Sequence, residues 1–148
     1  MRTYLRNSPE AAARVVALAL LADNHVSRDE MNAVRRFDIP GRLDLSHQAF
    51  MGVVQTLCDE LLSESGHIWQ GVQHLPQGTL HQVLDEVDDI GLRLIVLQLC
   101  AAVAESDRHL AEGESRMLHT VADHWDLPRP AFAPIVAGAP RRVMARVA

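Results

Sequence analysis

Aromatic residues are scarce in this sequence: they make up 4% of its 148 residues, whereas apolar residues make up 48%. Such a composition argues against a β-sandwich and favours helices that pack through Ala, Leu and Val. No apolar run reaches the ~20 residues that a membrane-spanning helix needs. The two cysteines, Cys58 and Cys100, lie in apolar, helix-like segments. We therefore expect them to be small core residues and not a disulfide, a metal pair or a nucleophile.

Lysine is absent, and all 14 basic residues are arginine. The formal net charge of −5 argues against a general nucleic-acid binder, but this charge is divided unevenly. Residues 1–126 carry −9, whereas residues 127–148 carry four arginines and no acid. These arginines could contact an anionic lipid, RNA or an acidic partner, although we expect the tail to fold back onto its acidic body. They are Arg129, Arg141, Arg142 and Arg146.

The N-terminus resembles a signal peptide, because Arg2 and Arg6 precede an apolar run. Arg14 interrupts that run, however, and Ser8-Pro9-Glu10 has the residue order of a helix start. We therefore predict a structural helix here and a cytoplasmic protein.

Apolar spacing predicts about six to eight helices in a compact all-α bundle. Two of them, at about 9–22 and 90–105, are apolar on nearly every side and should be buried at the centre. Ser46 and Thr79 are expected to cap further helices, and Pro40-Gly41 to end another. An acidic run precedes the helix at 90–105 and is expected to be a solvated first turn. It consists of Asp85, Glu86, Asp88 and Asp89.

The strongest signal is a motif that occurs twice, 84 residues apart. Residues 23–30 (DNHVSRDE) reappear as 107–114 (DRHLAEGE), with Asp, His, an aliphatic residue, a small residue and Glu in register. An apolar helix precedes each copy, and an amphipathic helix follows, ending in FDIP at 37–40 and WDLP at 125–128. This pattern predicts two helix-loop-helix halves, at about 9–40 and 92–128, related by a pseudo-two-fold axis.

An apolar helix ending in Ala-Asp, a short loop and a Glu that opens the next helix, twice per chain, resembles the bacterial TerB-like tellurite-resistance domains. The resemblance covers about residues 9–128. It implies an all-helical fold with internal pseudo-symmetry, no established catalytic activity, and association with stress-response or membrane-associated complexes. It also implies a metal-binding role for the paired acids, which are Asp23, Glu30, Asp107 and Glu114. The family usually has Gly after each Asp, whereas this sequence has Asn24 and Arg108.

Two explanations of these acids remain open. Two Asp–Glu pairs related by a pseudo-dyad could gather four carboxylates around Ca²⁺ or Mg²⁺, and adding His25 and His109 would suit Zn²⁺ better. Alternatively, Glu30 is the third-position acid of a capping box with Ser27, and the Asp side chains bond helix N-terminal amides. The capping explanation accounts for most of the pattern without a metal.

Other histidines carry weaker signals. His67, His74 and His81 recur at seven-residue spacing, but prolines and glycines interrupt any helix that would align them. His119 and His124 are five residues apart, do not share a helix face, and are expected at the surface. The sequence contains no glycine-rich phosphate loop, no G-x-S-x-G motif and no Cys/His nucleophile arrangement.

We therefore predict a TerB-like helical domain at 1–128 and a Pro/Arg-rich tail at 129–148. Its expected function is a non-enzymatic binding or adaptor module of a bacterial stress response, with protein partners and with a divalent Ca, Mg or Zn ion or no cofactor. It is expected in the cytoplasm or peripherally at the inner membrane, without a specific nucleic acid, and a homo-oligomer remains open. The alternatives are a metal-dependent enzyme that uses the same acids with His25 and His109, and a purely structural interaction domain.

Overall fold

Seven helices make up the regular structure of the described residues. The computed structural model describes residues 1–22, 28–64, 75–106 and 112–128, with the backbone alone at 64 and 112–115. Within these ranges every regular element is helical and none is a strand, as predicted. The helices are α1 (Pro9–Leu20), α2 (Arg28–Arg36), α3 (Ile39–Arg42), α4 (His47–Glu64), α5 (Gln77–Asp85), α6 (Ile90–Ser106) and α7 (Glu112–His124). None of the seven combines the length and the hydrophobicity of a transmembrane span.

The centre of the bundle is α1, as its apolar sequence predicts. Every side chain from residue 11 to residue 22 is buried, and α4 and α6 pack along the helix. Its start follows the prediction: the Ser8 hydroxyl accepts a hydrogen bond of 3.1 Å from the Ala11 N–H, and Pro9 occupies the first helical position. A Pro at this position loses nothing, because the first-turn N–H groups have no partner within the helix.

Two other predicted helix boundaries are wrong. Thr79 does not cap α5, since Pro76 stands at the N-cap position and Thr79 lies inside the helix. Pro40-Gly41 does not end a helical unit, because both residues belong to the short helix α3. A proline in the first turn of a helix removes no intrahelical hydrogen bond, so it cannot by itself mark a helix end. Ser46 does cap α4, where its hydroxyl accepts from the Ala49 N–H at 3.0 Å.

The helices α1 and α6 run in the same direction. Just before their first turns, the Asn7 side-chain amide donates to Asp88 Oδ1 at 2.6 Å. Farther along, the Cys100 thiol lies 3.9 Å from the Val15 carbonyl oxygen, to which it donates. From that contact, α1 continues five residues to Leu20 and α6 continues six residues to Ser106, a rise of about 8 Å and about 9 Å. Both helices therefore end at nearly the same height, at one end of the bundle.

A buried ion pair fixes this alignment. The Arg14 guanidinium on α1 contacts the Glu86 carboxylate, which follows α5, and the two residues are 1% and 7% exposed. Arg14 also donates to the Arg2 carbonyl oxygen at 2.6 Å and lies 4.7 Å from the centre of the Tyr4 ring. The Tyr4 N–H donates to the other Glu86 oxygen at 3.2 Å. The prediction of a solvated acidic run is therefore wrong for Glu86, because Arg14 compensates its charge inside the bundle.

Asn7 makes a second link to the start of α6. Its backbone has a φ of 61°, a left-handed conformation that Asn tolerates better than most residues. In this conformation its side-chain oxygen accepts from the N–H groups of Asp88 and Asp89 at 2.8 and 3.1 Å. The hydrogen bond from Asn7, together with the nearby Arg6, holds the pKa of Asp88 below its ordinary value, against a smaller opposing effect of desolvation.

Glu86→Gln should lower the free energy of unfolding by about 3–5 kcal/mol, because it leaves the Arg14 guanidinium buried without a compensating charge. Arg14→Met/Glu86→Leu should recover much of this loss, since an apolar pair removes both desolvation penalties. Urea unfolding measures both values. Arg6→Met, which removes the exposed Arg6–Asp88 pair, is the control and should cost much less. A loss in Glu86→Gln no larger than in Arg6→Met would contradict the importance of the buried pair.

The lowered pKa of Asp88 should rise on Asn7→Gly, because the Asn7 hydrogen bond is the largest single cause, and it should also rise on Arg6→Gln. Glycine keeps the positive φ without strain. A lowered pKa means that the folded state stabilises the charged carboxylate. The difference in unfolding free energy between wild type and Asp88→Asn should therefore be present above about pH 4 and vanish as the pH falls through the lowered pKa. NMR titration of the carboxyl carbon and unfolding measured against pH check both statements. An unchanged pKa of Asp88 in Asn7→Gly would contradict the assignment.

Candidate functional site

Both copies of the repeated motif begin where a central helix ends. The first copy follows α1 and leads into α2, and the second follows α6 and leads into α7. Because α1 and α6 end at nearly the same height, both connections leave the same end of the bundle. The side chains of Asp23, His25, Asp107 and His109 lie outside the described residues, as do all four tail arginines (Arg129, Arg141, Arg142 and Arg146).

Glu30 is the one predicted ligand whose side chain is described. It is the third residue of α2 and is only 1% exposed. Glu114 is the third residue of α7, so its backbone occupies the same helical position. A carboxylate in the first turn interacts favourably with the partial positive charge of the helix N-terminus. The position of Glu30 therefore agrees with the expected capping role, and its burial makes it a side chain that points into the fold.

Within the described ranges, no three His, Cys, Asp or Glu side chains come together in an arrangement that could hold a metal ion. Five of the six predicted ligand side chains lie outside these ranges. The absence of a metal-binding group therefore applies only to the described part of the bundle. The predicted site in the two loops is supported by the ligand chemistry of its Asp, Glu and His residues alone.

A histidine cluster joins α5 to α7. The rings of His81 and His124 stack with their centroids 4.3 Å apart and an interplanar angle of 18°. His124 Nε2 lies 2.7 Å from Asp85 Oδ1, within hydrogen-bond distance. The sequence pattern did not predict this cluster. It places His124 at the surface and Asp85 in a helix start, whereas Asp85 ends α5. The one available signal was the four-residue spacing of His81 and Asp85, which places both on one helix face.

The two cysteines are free, as predicted. Cys58 on α4 is half-buried, whereas Cys100 on α6 is completely buried against α1. Burial raises the pKa of the Cys100 thiol to about 12. Since the thiolate is the reactive form, Cys100 cannot serve as a nucleophile near neutral pH.

Alkylation of the folded protein with iodoacetamide at pH 8 should therefore label Cys58 and spare Cys100. Both cysteines should react after unfolding in urea. Mass spectrometry of the tryptic peptides measures each site separately, and Cys58→Ser provides a folded protein in which Cys100 is the sole thiol. Labelling of Cys100 in that variant at the rate of an unfolded thiol would contradict its burial.

A scan against protein-family models, a search of curated proteins and a search of solved structures each found no match to this chain. The TerB-like resemblance therefore stays a prediction from the two motifs and their spacing.

Proposed function

We propose that this chain is a non-enzymatic, TerB-like binding module of a bacterial stress response, and that its two repeated loops form one ligand site. The observation that carries the proposal is the parallel arrangement of α1 and α6. Because these helices end at nearly the same height, the loops at 23–27 and 107–111 start from neighbouring points. An antiparallel pair would have placed them at opposite ends of the bundle.

Three features support a pseudo-two-fold relation between the halves. Glu30 and Glu114 hold the same position in α2 and α7. An Asp with left-handed backbone follows the end of each of these helices, with a φ of 50° at Asp38 and 57° at Asp126. Each is preceded by an aromatic residue that packs into the core or against it, Phe37 and Trp125. The two halves thus share local backbone geometry as well as sequence.

The proposed ligand is a divalent cation. Carboxylate oxygens from Asp23, Asp107 and Glu114 suit Ca²⁺ or Mg²⁺, and the imidazoles of His25 and His109 would shift the preference towards Zn²⁺. A bound cation would supply a positive charge that bridges the two loops and holds the halves together. In the adaptor role, the presence or absence of the bound cation would control binding of a protein partner, in the cytoplasm or at the inner membrane.

Wild-type protein purified without chelator should contain a divalent metal, and Asp23→Asn/Asp107→Asn should bind it at least about tenfold more weakly, because two anionic ligands are lost. Elemental mass spectrometry gives the metal content. Calorimetric titration of the metal-free protein with Ca²⁺, Mg²⁺ and Zn²⁺ gives the affinities.

The matched control is Asp44→Asn/Asp59→Asn, which removes two exposed acids that belong to neither copy of the repeated motif. Asn also tolerates the left-handed backbone at position 44, where φ is 63°. This control should bind metal like wild type. No metal binding by wild type, or equal binding by both double variants, would overturn the loop site.

Glu30→Gln separates the two explanations of Glu30. Gln serves in a capping box as Glu does, but it removes the anionic ligand. If Glu30 binds metal, the variant should lose affinity while its stability stays close to wild type. Unchanged affinity would assign Glu30 to capping alone and leave the metal to the other acids.

A further inference from the structure

The outer face of α6 is apolar and exposed. Ile90, Leu94 and Ile95 are 60%, 44% and 42% exposed. Leu5 is the only other large apolar residue of the described ranges with comparable exposure. On the helix surface these three residues share one side with Gln98 and with small residues farther along. This finding corrects the expectation that α6 is buried all round.

The apolar face continues into a groove at the far end of α6. The groove has a volume of about 510 Å³ and lies between the end of α2 and the last third of α6. Phe37 and Arg36 line one wall, and Ala101, Ala102 and Glu105 contribute to the other. Glu105 is the one acidic side chain of this wall. A stripe and a groove of this kind indicate a surface to which another segment binds.

The matching side of α1 is covered. α1 has the same all-round apolar sequence, but α4 packs along it, and no side chain of α1 from residue 11 onward is exposed. α4 follows α2 and α3 in the chain. In the second half, the segment that occupies the corresponding place in the sequence is the tail at 129–148, which follows α7.

The described chain ends next to the exposed face. The Trp125 side chain donates to the Leu84 carbonyl oxygen at 3.0 Å, and the Arg93 guanidinium lies 5.4 Å from the centre of its ring. Arg93 is adjacent to Leu94 in α6 and less than one turn from Ile90. The tail of twenty residues therefore starts beside this face, and even as a helix it would span about 30 Å, compared with about 26 Å for the seventeen residues of α6.

The composition of the tail matches that face. Phe132, Ile135 and Val136 have the i, i+3, i+4 spacing of one apolar helix side. The tail carries four arginines and no acid. Three acidic residues and two arginines lie around the start of α6, so its border has a net negative charge. Glu105 adds another acid at the other end of the helix. The five bordering residues are Asp85, Asp88, Asp89, Arg6 and Arg93.

We propose that residues 129–148 of this chain pack on the outer face of α6, through Ile90, Leu94 and Ile95, as α4 packs on α1. The apolar side of 132–136 meets the start of α6, and the arginines that follow lie towards its acidic border. The three contact residues lie at the start of α6, whereas the second repeated loop follows its end, so the inference does not rest on the proposed metal site.

Photocrosslinking in the full chain tests the proposal. With p-benzoylphenylalanine in place of Phe132, irradiation should give a crosslink within one chain, which migrates as a monomer. Trypsin cleaves after Arg42, Arg93 and Arg108, so the expected partners are the peptide 94–108, crosslinked at Leu94 or Ile95, and the peptide 43–93, crosslinked at Ile90.

Leu94→Asp should lower the yield of this crosslink about tenfold, since a carboxylate in an apolar interface costs at least about 1.4 kcal/mol. Leu5→Asp, which changes a more exposed apolar residue outside α6, should leave the yield unchanged. A crosslink between two copies would overturn the proposal in favour of a dimer. Crosslinks to other peptides, no crosslink, or equal yields in the two variants would also overturn it.

Discussion

The ion pair between Arg14 and Glu86 is the contact on which the alignment of this bundle depends. It joins the middle of α1 to the turn before α6, so it sets how far the two central helices are offset along their length. An ion pair is costly to bury, and two hydrogen bonds offset part of this cost, one from Arg14 to the Arg2 carbonyl oxygen and one from the Tyr4 N–H to Glu86. Arg14 Nε is buried without a hydrogen-bond partner among the described residues. The N-terminal segment therefore packs against the core through Met1 and Tyr4.

The acidic residues before α6 illustrate how tertiary partners decide the role of a charge. Asp85 approaches His124, Glu86 holds Arg14, and Asp88 accepts from Arg6 and Asn7. Asp89 caps α6 by accepting from the Leu92 N–H at 2.9 Å. In the sequence the four acids form one uniform run, and helix-dipole arguments treat them alike. The fold gives each one a different partner, so that the turn between α5 and α6 connects the N-terminal segment, α1 and α7.

Local rules predicted the parts of the fold that depend on neighbours in sequence. The Ser8 and Ser46 caps, the all-α class and the burial of α1 follow from short-range hydrogen bonding and apolar periodicity. The Arg14–Glu86 pair and the stacking of His81 on His124 join residues 72 and 43 positions apart, which no periodicity encodes. For the candidate site, the repeated motif in the sequence predicts which residues would bind the metal. That both loops start at the same end of the bundle follows only from the parallel direction of α1 and α6 in the structure.

The contrast between α1 and α6 shows where sequence pattern stops being informative. Both helices are apolar on nearly every side, and periodicity alone assigns both to the centre. In the described structure α1 has neighbours all round, whereas α6 has them only on the side of α1, α2 and α7. The proposed packing of the tail on α6 would account for this difference, because burying Ile90, Leu94 and Ile95 recovers hydrophobic free energy that they do not gain in water. The tail would then cover α6 in the second half as α4 covers α1 in the first.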